Sequence, residues 1–167
     1  MEFKEAKEQF LQTWGALGSQ WGINKTMAQI HALLMISPDS LSMEEIMEEL
    51  QISRGNASMN LRGLIDWGIV YKEYKPGERR EYFKADQDVD SLARKIAIER
   101  SKREIQPTLR VLEDVRNFDE NDSSEAQKFK QKTQELYDFV SRADTMLEKI
   151  TNQKENWVTK TIMKLMT

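Results

Sequence analysis

The stretch from Ser42 to Ala85 constrains the fold more than any other part of the chain. Ser42 and Glu45 have the spacing of a capping box, so SMEEIMEEL predicts a helix over Ser42–Leu50. Gln51-Ile52-Ser53 leaves room only for a turn. Ser53 is a good N-cap for a second helix, Arg54–Trp67, and Gly68 stands where a left-handed residue would close it. Ile69–Lys75 and Glu81–Ala85 read as strands on either side of Pro76-Gly77-Glu78-Arg79-Arg80, a turn with two cations near its tip. A helix pair of this spacing places its second helix in a DNA major groove, and the hairpin that follows forms a wing beside it.

The expected fold class is therefore mainly α with a small β-hairpin wing (α+β): a winged helix-turn-helix with N- and C-terminal dimerisation helices. Residues 1–23 are expected to form an N-terminal dimerisation helix and loop, 24–87 the DNA-binding domain, and 88–167 a helical dimerisation region. Phe3, Ala6, Phe10, Trp14 and Leu17 recur at helical spacing, and a loop holding Gly18 and Ser19 follows. Asn24 caps a helix to about Ile36, which Ser37-Pro38-Asp39 ends. A long helix from Asp88 to Arg116 contains Pro107, which predicts a kink or break. Beyond a polar linker, Asn117–Ser124, the residues Phe129, Thr133, Leu136, Val140, Ala143, Leu147 and Ile150 keep a heptad seam. Trp157, Val158, Ile162, Leu165 and Met166 suggest a last amphipathic piece.

Charge locates the expected contact surface. The chain of 167 residues carries a net charge of -3, which at first argues against nucleic acid. Its distribution argues otherwise. Residues 1–53 sum to -5 and 86–167 to -1, whereas 54–85 hold 7 basic and 4 acidic side chains. The positive segment is the second helix plus the wing, where phosphates would be met. A local charge of +3 is modest, so binding should need two copies on one site.

Within the second helix, Ala57, Leu61, Leu64 and Ile65 share the face that docks on the core. Gly55, Asn56, Met59 and Arg62 point the other way, with Arg54, Ser58 and Asn60 nearer the edges. Arg pairs with guanine O6 and N7, Asn with adenine N6 and N7, and Met touches a thymine methyl. The expected DNA-binding residues are Ser53, Arg54, Asn56, Ser58, Met59, Asn60, Arg62, Lys75, Arg79 and Arg80. The bland alternatives are a solvated helix face and a solvated hairpin tip, where Glu78 and Glu81 neutralise the two arginines. Gly55 is explained by close approach to a phosphate, and the sequence supplies no reason for Gly63.

The run QISRGNASMNLRGLIDWGIVYKEYKPGERREYF, Gln51 to Phe83, resembles the MarR superfamily of bacterial regulators and within it the GbsR-like branch. Ser-Arg-Gly-Asn, Asp-Trp-Gly and Pro-Gly-Glu-Arg stand in one register, and outside the winged domain only the layout of helices is alike. The resemblance implies a homodimer on a near-palindromic operator, acting as a repressor that occludes a promoter. It also favours contact of Arg79 and Arg80 with DNA. GbsR-like regulators are similar to proteins that answer to choline-type solutes, so Trp14 and Trp21 are candidate walls of a cage for a small cationic effector. The plainer reading is that both tryptophans are core. His31 reads as a satisfied helix histidine rather than a ligand, and the nine methionines as fillers of core and interface.

Other chemistry finds little footing. The chain has no cysteine and one histidine, which excludes thiol sensing and histidine-rich metal centres. No phosphate-binding glycine loop or catalytic triad spacing appears, so no enzyme and no cofactor are expected. No apolar run has membrane-spanning length, and a cytoplasmic location is expected. The rival reading is a winged-helix scaffold that binds protein instead of DNA.

Overall fold

A computed structural model of the chain describes residues 1–20, 22–118 and 123–152. Its contacts divide into one unit over Met1–Ala93 and another from Arg94 onward.

In the first unit, α1 (Phe3–Gln20) lies against α2 (Lys25–Ile36), followed by β1 (Leu41–Ser42), α3 (Met43–Leu50), α4 (Arg54–Asp66), β2 (Val70–Tyr74) and β3 (Glu81–Ala85). α5 (Val89–Arg100) starts here and runs on past Ala93. The three strands form an antiparallel sheet in the order β1-β3-β2, with Leu41 opposite Phe83 and Lys72 also opposite Phe83 on its other side. Phe83 is thus central, and it is 2% exposed. Ile30, Leu33 and Leu34 of α2, Ile46 of α3, and Leu61 and Leu64 of α4 close around it as the core. Removing side chains of this size from water stabilises by about 1.5–3 kcal/mol each, so α2 is the central support of the winged domain.

The mainly helical winged fold is as the sequence predicts, and several local details are not. β1 was not foreseen, being two residues long. Gly18 and Ser19 are not in a loop, because α1 continues to Gln20. A Cβ on Gly18 would come within 2.5 Å of the Ala28 Cβ, and one on Gly15 within 2.7 Å of Gln29 Cγ. These glycines let α1 approach α2 more closely than any side chain would permit. Gly63 gains a similar reason, since a Cβ there would lie 3.2 Å from Met27 Cε. His31, expected to be satisfied, is buried with no hydrogen-bond partner on Nε2. Burial lowers its pKa from 6.5 to about 4, against a weaker opposing pull from Asp86.

The second unit holds the rest of α5, a π-helical turn (Ser101–Ile105), α6 (Gln106–Arg116) and α7 (Ser124–Asn152). Pro107 produces that turn rather than a break. Its ring would collide with the carbonyl four residues back, and widening the helix relieves the clash. The Gln106 N–H accordingly donates to Ser101 O, five residues earlier. The wider turn also brings Ser101 Oγ and Gln106 Nε2 to donate to the two carboxylate oxygens of Asp144 on α7, at 2.7 and 2.5 Å.

The heptad seam of α7 divides. Thr133, Val140 and Leu147 are buried or half-buried, together with Tyr137 and Asp144, and Arg116 stacks its guanidinium 3.8 Å from the Tyr137 ring. Phe129, Leu136 and Ile150 are instead about half exposed, at 49%, 46% and 55%. Phe139 and Met146 join them at 64% and 65%, giving a second stripe at heptad spacing. No apolar side chain among the described residues of this unit is fully buried. Trp21, the linker positions 119–122 and the expected amphipathic piece from Trp157 to Met166 lie outside the described residues.

Candidate nucleic-acid interface

The reading helix is placed by its two ends. Ser42 caps α3 by accepting from the Glu45 N–H at 3.3 Å, and the Glu45 carboxylate accepts from the Ser42 N–H at 2.7 Å. Bonds donated to it by the Ser42 N–H and hydroxyl, helped by Lys75 and Arg80, hold the Glu45 carboxyl below the usual carboxylate range. Gln51 adopts left-handed geometry at φ 51°, which turns the chain within three residues. Ser53 then accepts from the Asn56 N–H at 3.3 Å and opens α4, while Gly68 at φ +68° releases the chain into β2.

The face of α4 turned from the core carries Arg54, Gly55, Met59 and Arg62, all exposed, with Asn56 and Ser58 half-buried beside them. Met59 is 58% exposed, within reach of whatever meets this face. Arg62 has no ion pair among the described residues. Arg54 is paired with Glu44 of α3 at 2.5 Å, a partner the sequence reading missed and one that a phosphate would have to displace. Nothing lies within 4 Å of a Cβ built on Gly55, so that position is open to a close ligand. Asn60 does not belong to this face. It is 4% exposed, and its amide donates to the Asn56 carbonyl at 2.9 Å and to Asn56 Oδ1 at 2.6 Å. The helical wheel put Asn60 at an edge, and its spacing of four from Asn56 was the only available sign of this bond.

The wing is equally specific. Lys75-Pro76-Gly77-Glu78 forms a turn closed by the Glu78 N–H donating to Lys75 O at 3.1 Å. Gly77 has φ +83°, the value the third residue of a type II turn requires, and proline suits the position before it. Glu78 accepts from the Tyr82 hydroxyl and Glu81 from Lys72 Nζ at 2.7 Å. The two carboxylates expected to neutralise Arg79 and Arg80 are thus already engaged. Both arginines are exposed with no ion pair among the described residues. Lys75 is held 4.0 Å over the Tyr82 ring, which fixes its charge at the base of the turn.

The two tryptophans proposed as a cage are not brought together by anything described. Trp14 is half-buried on α1 and packs on Phe10 with ring centroids 5.6 Å apart, while Trp21 lies outside the described residues. Among the described residues no acidic, cysteine or histidine cluster could hold a metal, and no helix is long and apolar enough to cross a membrane.

No curated protein matches the chain in sequence. Among solved structures, one described as a transcriptional regulator aligns with a TM-score of 0.62 and 19% identity, over 87% of this chain and 95% of that one. At that identity the likeness concerns the fold. The multiple antibiotic-resistance repressor MarR from Listeria monocytogenes 4b F2365 aligns at 18% identity over 87% of this chain and 88% of its own, with a TM-score of 0.38. In sequence, residues 21–81, which hold α2 through the start of β3, match the model of the MarR family.

Proposed function

We propose that this chain is a sequence-specific DNA-binding transcription regulator of the MarR superfamily, similar to its GbsR-like branch. The observation that carries the reading is the exposure of Arg62 on α4 and of Arg79 and Arg80 on the wing, none of which forms an ion pair among the described residues. Glu78 and Glu45 are hydrogen-bonded to Tyr82 and Ser42, and Glu81 is paired with Lys72. Exposed cations outside ion pairs on α4 and its wing suit phosphates and base edges. The family match over residues 21–81 supports the same reading.

The functional unit is a cytoplasmic homodimer. The exposed stripe Phe129, Leu136, Phe139, Met146 and Ile150, on a unit with no fully buried apolar side chain among its described residues, supports a second copy as its cover. Two copies would present α4 to half-sites of a near-palindrome about one helical turn or more apart, and so occlude a promoter. Selection from a random duplex pool, followed by binding at rising salt, tests this. Affinity should fall on the order of a thousandfold from about 50 to 200 mM salt if several phosphates are neutralised. A flat salt response, or no enriched duplex, would refute it and leave the protein-binding scaffold.

A further inference from the structure

Asn60 is buried, polar and has no place on the DNA-facing surface, yet both hydrogens of its amide are committed to one residue, Asn56. The geometry fixes which atom is which. A main-chain carbonyl only accepts, so the Asn60 atom 2.9 Å from Asn56 O is the amide nitrogen. That same nitrogen lies 2.6 Å from the end of the Asn56 side chain, which must therefore present its oxygen. The assignment follows from the main chain, not from a choice of amide orientation. With Oδ1 turned inward to Asn60, the end of Asn56 left for a ligand is its NH2, a donor.

We infer that Asn60 is a positioning residue that turns Asn56 into a hydrogen-bond donor toward DNA, so that Asn56 meets an acceptor rather than the donor-and-acceptor edge of adenine. This rests on the DNA-reading proposal and sharpens it. Asn56 lies in the first turn of α4, where reading helices approach base edges. The acceptors available there are guanine O6 and N7, thymine O4, adenine N7 and phosphate oxygens, and adenine sets a donor, its N6 amino group, beside N7, so a donor-only group favours guanine or thymine. Asn60 itself touches no nucleotide and acts only through the orientation of its neighbour.

The test is selection from a random duplex pool with the full chain and three variants, Asn56→Ala, Asn56→Asp and Asn60→Asp. The wild type should prefer guanine or thymine at the position that Asn56→Ala relaxes. Asn56→Asp keeps one oxygen on Asn60 and shows the other outward. Asn60→Asp gives up the bond to the Asn56 main-chain carbonyl, and its carboxylate should draw the Asn56 NH2 inward and turn that side chain's oxygen out. Both should move the same position toward bases with an amino donor, cytosine or adenine, by roughly tenfold or more. A uniform loss of affinity in Asn56→Ala with base preference intact would identify phosphate as the acceptor and support the donor assignment. If Asn60→Asp fails to fold, Asn56→Asp on the half-buried residue carries the comparison. Adenine at the Asn56 position in the wild type, or an unchanged preference in Asn56→Asp where Asn56→Ala does relax a base, would overturn the inference. Side-chain amide exchange by NMR separates the two proposals without DNA: the Asn60 NH2 should be protected and the Asn56 NH2 exchanging. The reverse pattern overturns the orientation. Failure to enrich any duplex while that protection holds overturns the regulator reading and, with it, the role of Asn56.

Discussion

His31 should make this protein lose stability as the solution becomes mildly acidic. Its imidazole is 3% exposed on α2, its Nε2 has no hydrogen-bond partner, and burial lowers its pKa from 6.5 to about 4. The folded state therefore prefers the neutral ring. Above the ordinary histidine pKa both states are neutral and the full stability is present. Between 6.5 and about 4 the unfolded chain takes up a proton that the folded chain refuses, so stability falls as pH falls. At about pH 5 this linkage costs roughly 2 kcal/mol, rising to about 3 kcal/mol below the folded pKa. That is a large share of the roughly 5–15 kcal/mol typical of a domain. Urea unfolding of the wild type and of His31→Leu at about pH 7.5 and 5 isolates the effect, because carboxylates titrate alike in both. The wild type should lose about 2 kcal/mol more than the variant over that interval. Removing the Asp86 charge, as in Asp86→Asn, should deepen the loss, since that carboxylate opposes the shift. Equal losses in wild type and His31→Leu, or an imidazole that titrates near 6.5 by NMR, would refute the reasoning.

The close contacts of α2 give a paired expectation. Gly18→Ala should cost about 1–3 kcal/mol, because its Cβ meets the Ala28 Cβ at 2.5 Å and neither backbone can yield cheaply. Gly63→Ala should instead be neutral or gain up to about 1 kcal/mol of helix propensity, since the Met27 methyl it meets sits at the end of a flexible chain. Matching urea midpoints for the two variants would count against this account of the packing. On DNA, Arg79→Ala with Arg80→Ala should weaken binding to every duplex and flatten the salt slope. Arg62→Ala should cost about 1–3 kcal/mol and relax one base position; a change in base preference from the wing variant would contradict the division between reading and clamping. In α7, Leu136→Glu with Phe139→Glu should yield folded monomers by light scattering and circular dichroism, whereas Val140→Glu with Leu147→Glu should lose helix. A persistent dimer in the first pair would mean that the exposed stripe is not the interface.

The winged domain was legible because its signals are local. Ser42 with Glu45, Ser53, Gly68 and Pro76-Gly77 each fix backbone within a few residues, and all of them appear in the expected roles. β1 gave no such sign, since Leu41-Ser42 owes its pairing entirely to Phe83 and Tyr82. Glycine is ambiguous in sequence: at Gly68 and Gly77 it supplies positive φ, whereas at Gly18 and Gly63 it makes room for another helix. Only the partner helix distinguishes the two uses. Asn60 was grouped with the readers because polar residues near a wheel's edge usually face water, and a bond to a side chain four residues back cancels that preference. The α7 heptads show that periodicity reports which residues are apolar without reporting what covers them. Val140 and Leu147 are half-buried, whereas Leu136 and Ile150 stay about half exposed.

Met27 and Ala28 are consecutive on α2, and each abuts a glycine on a different neighbour, Gly63 of α4 and Gly18 of α1. At Gly18 no side-chain cushion separates α1 from α2, so the pair resists sliding and transmits displacement, whereas at Gly63 the flexible Met27 side chain fills the gap. The 18 residues of α1 make a rod about 27 Å long, and a rotation of about 5° at one end would carry the other through about 2 Å. A hydrogen bond to a base edge spans about 3 Å and weakens steeply with misalignment. Under the proposed function, whatever grips the far end of α1 would act on α4 through α2, without touching the DNA.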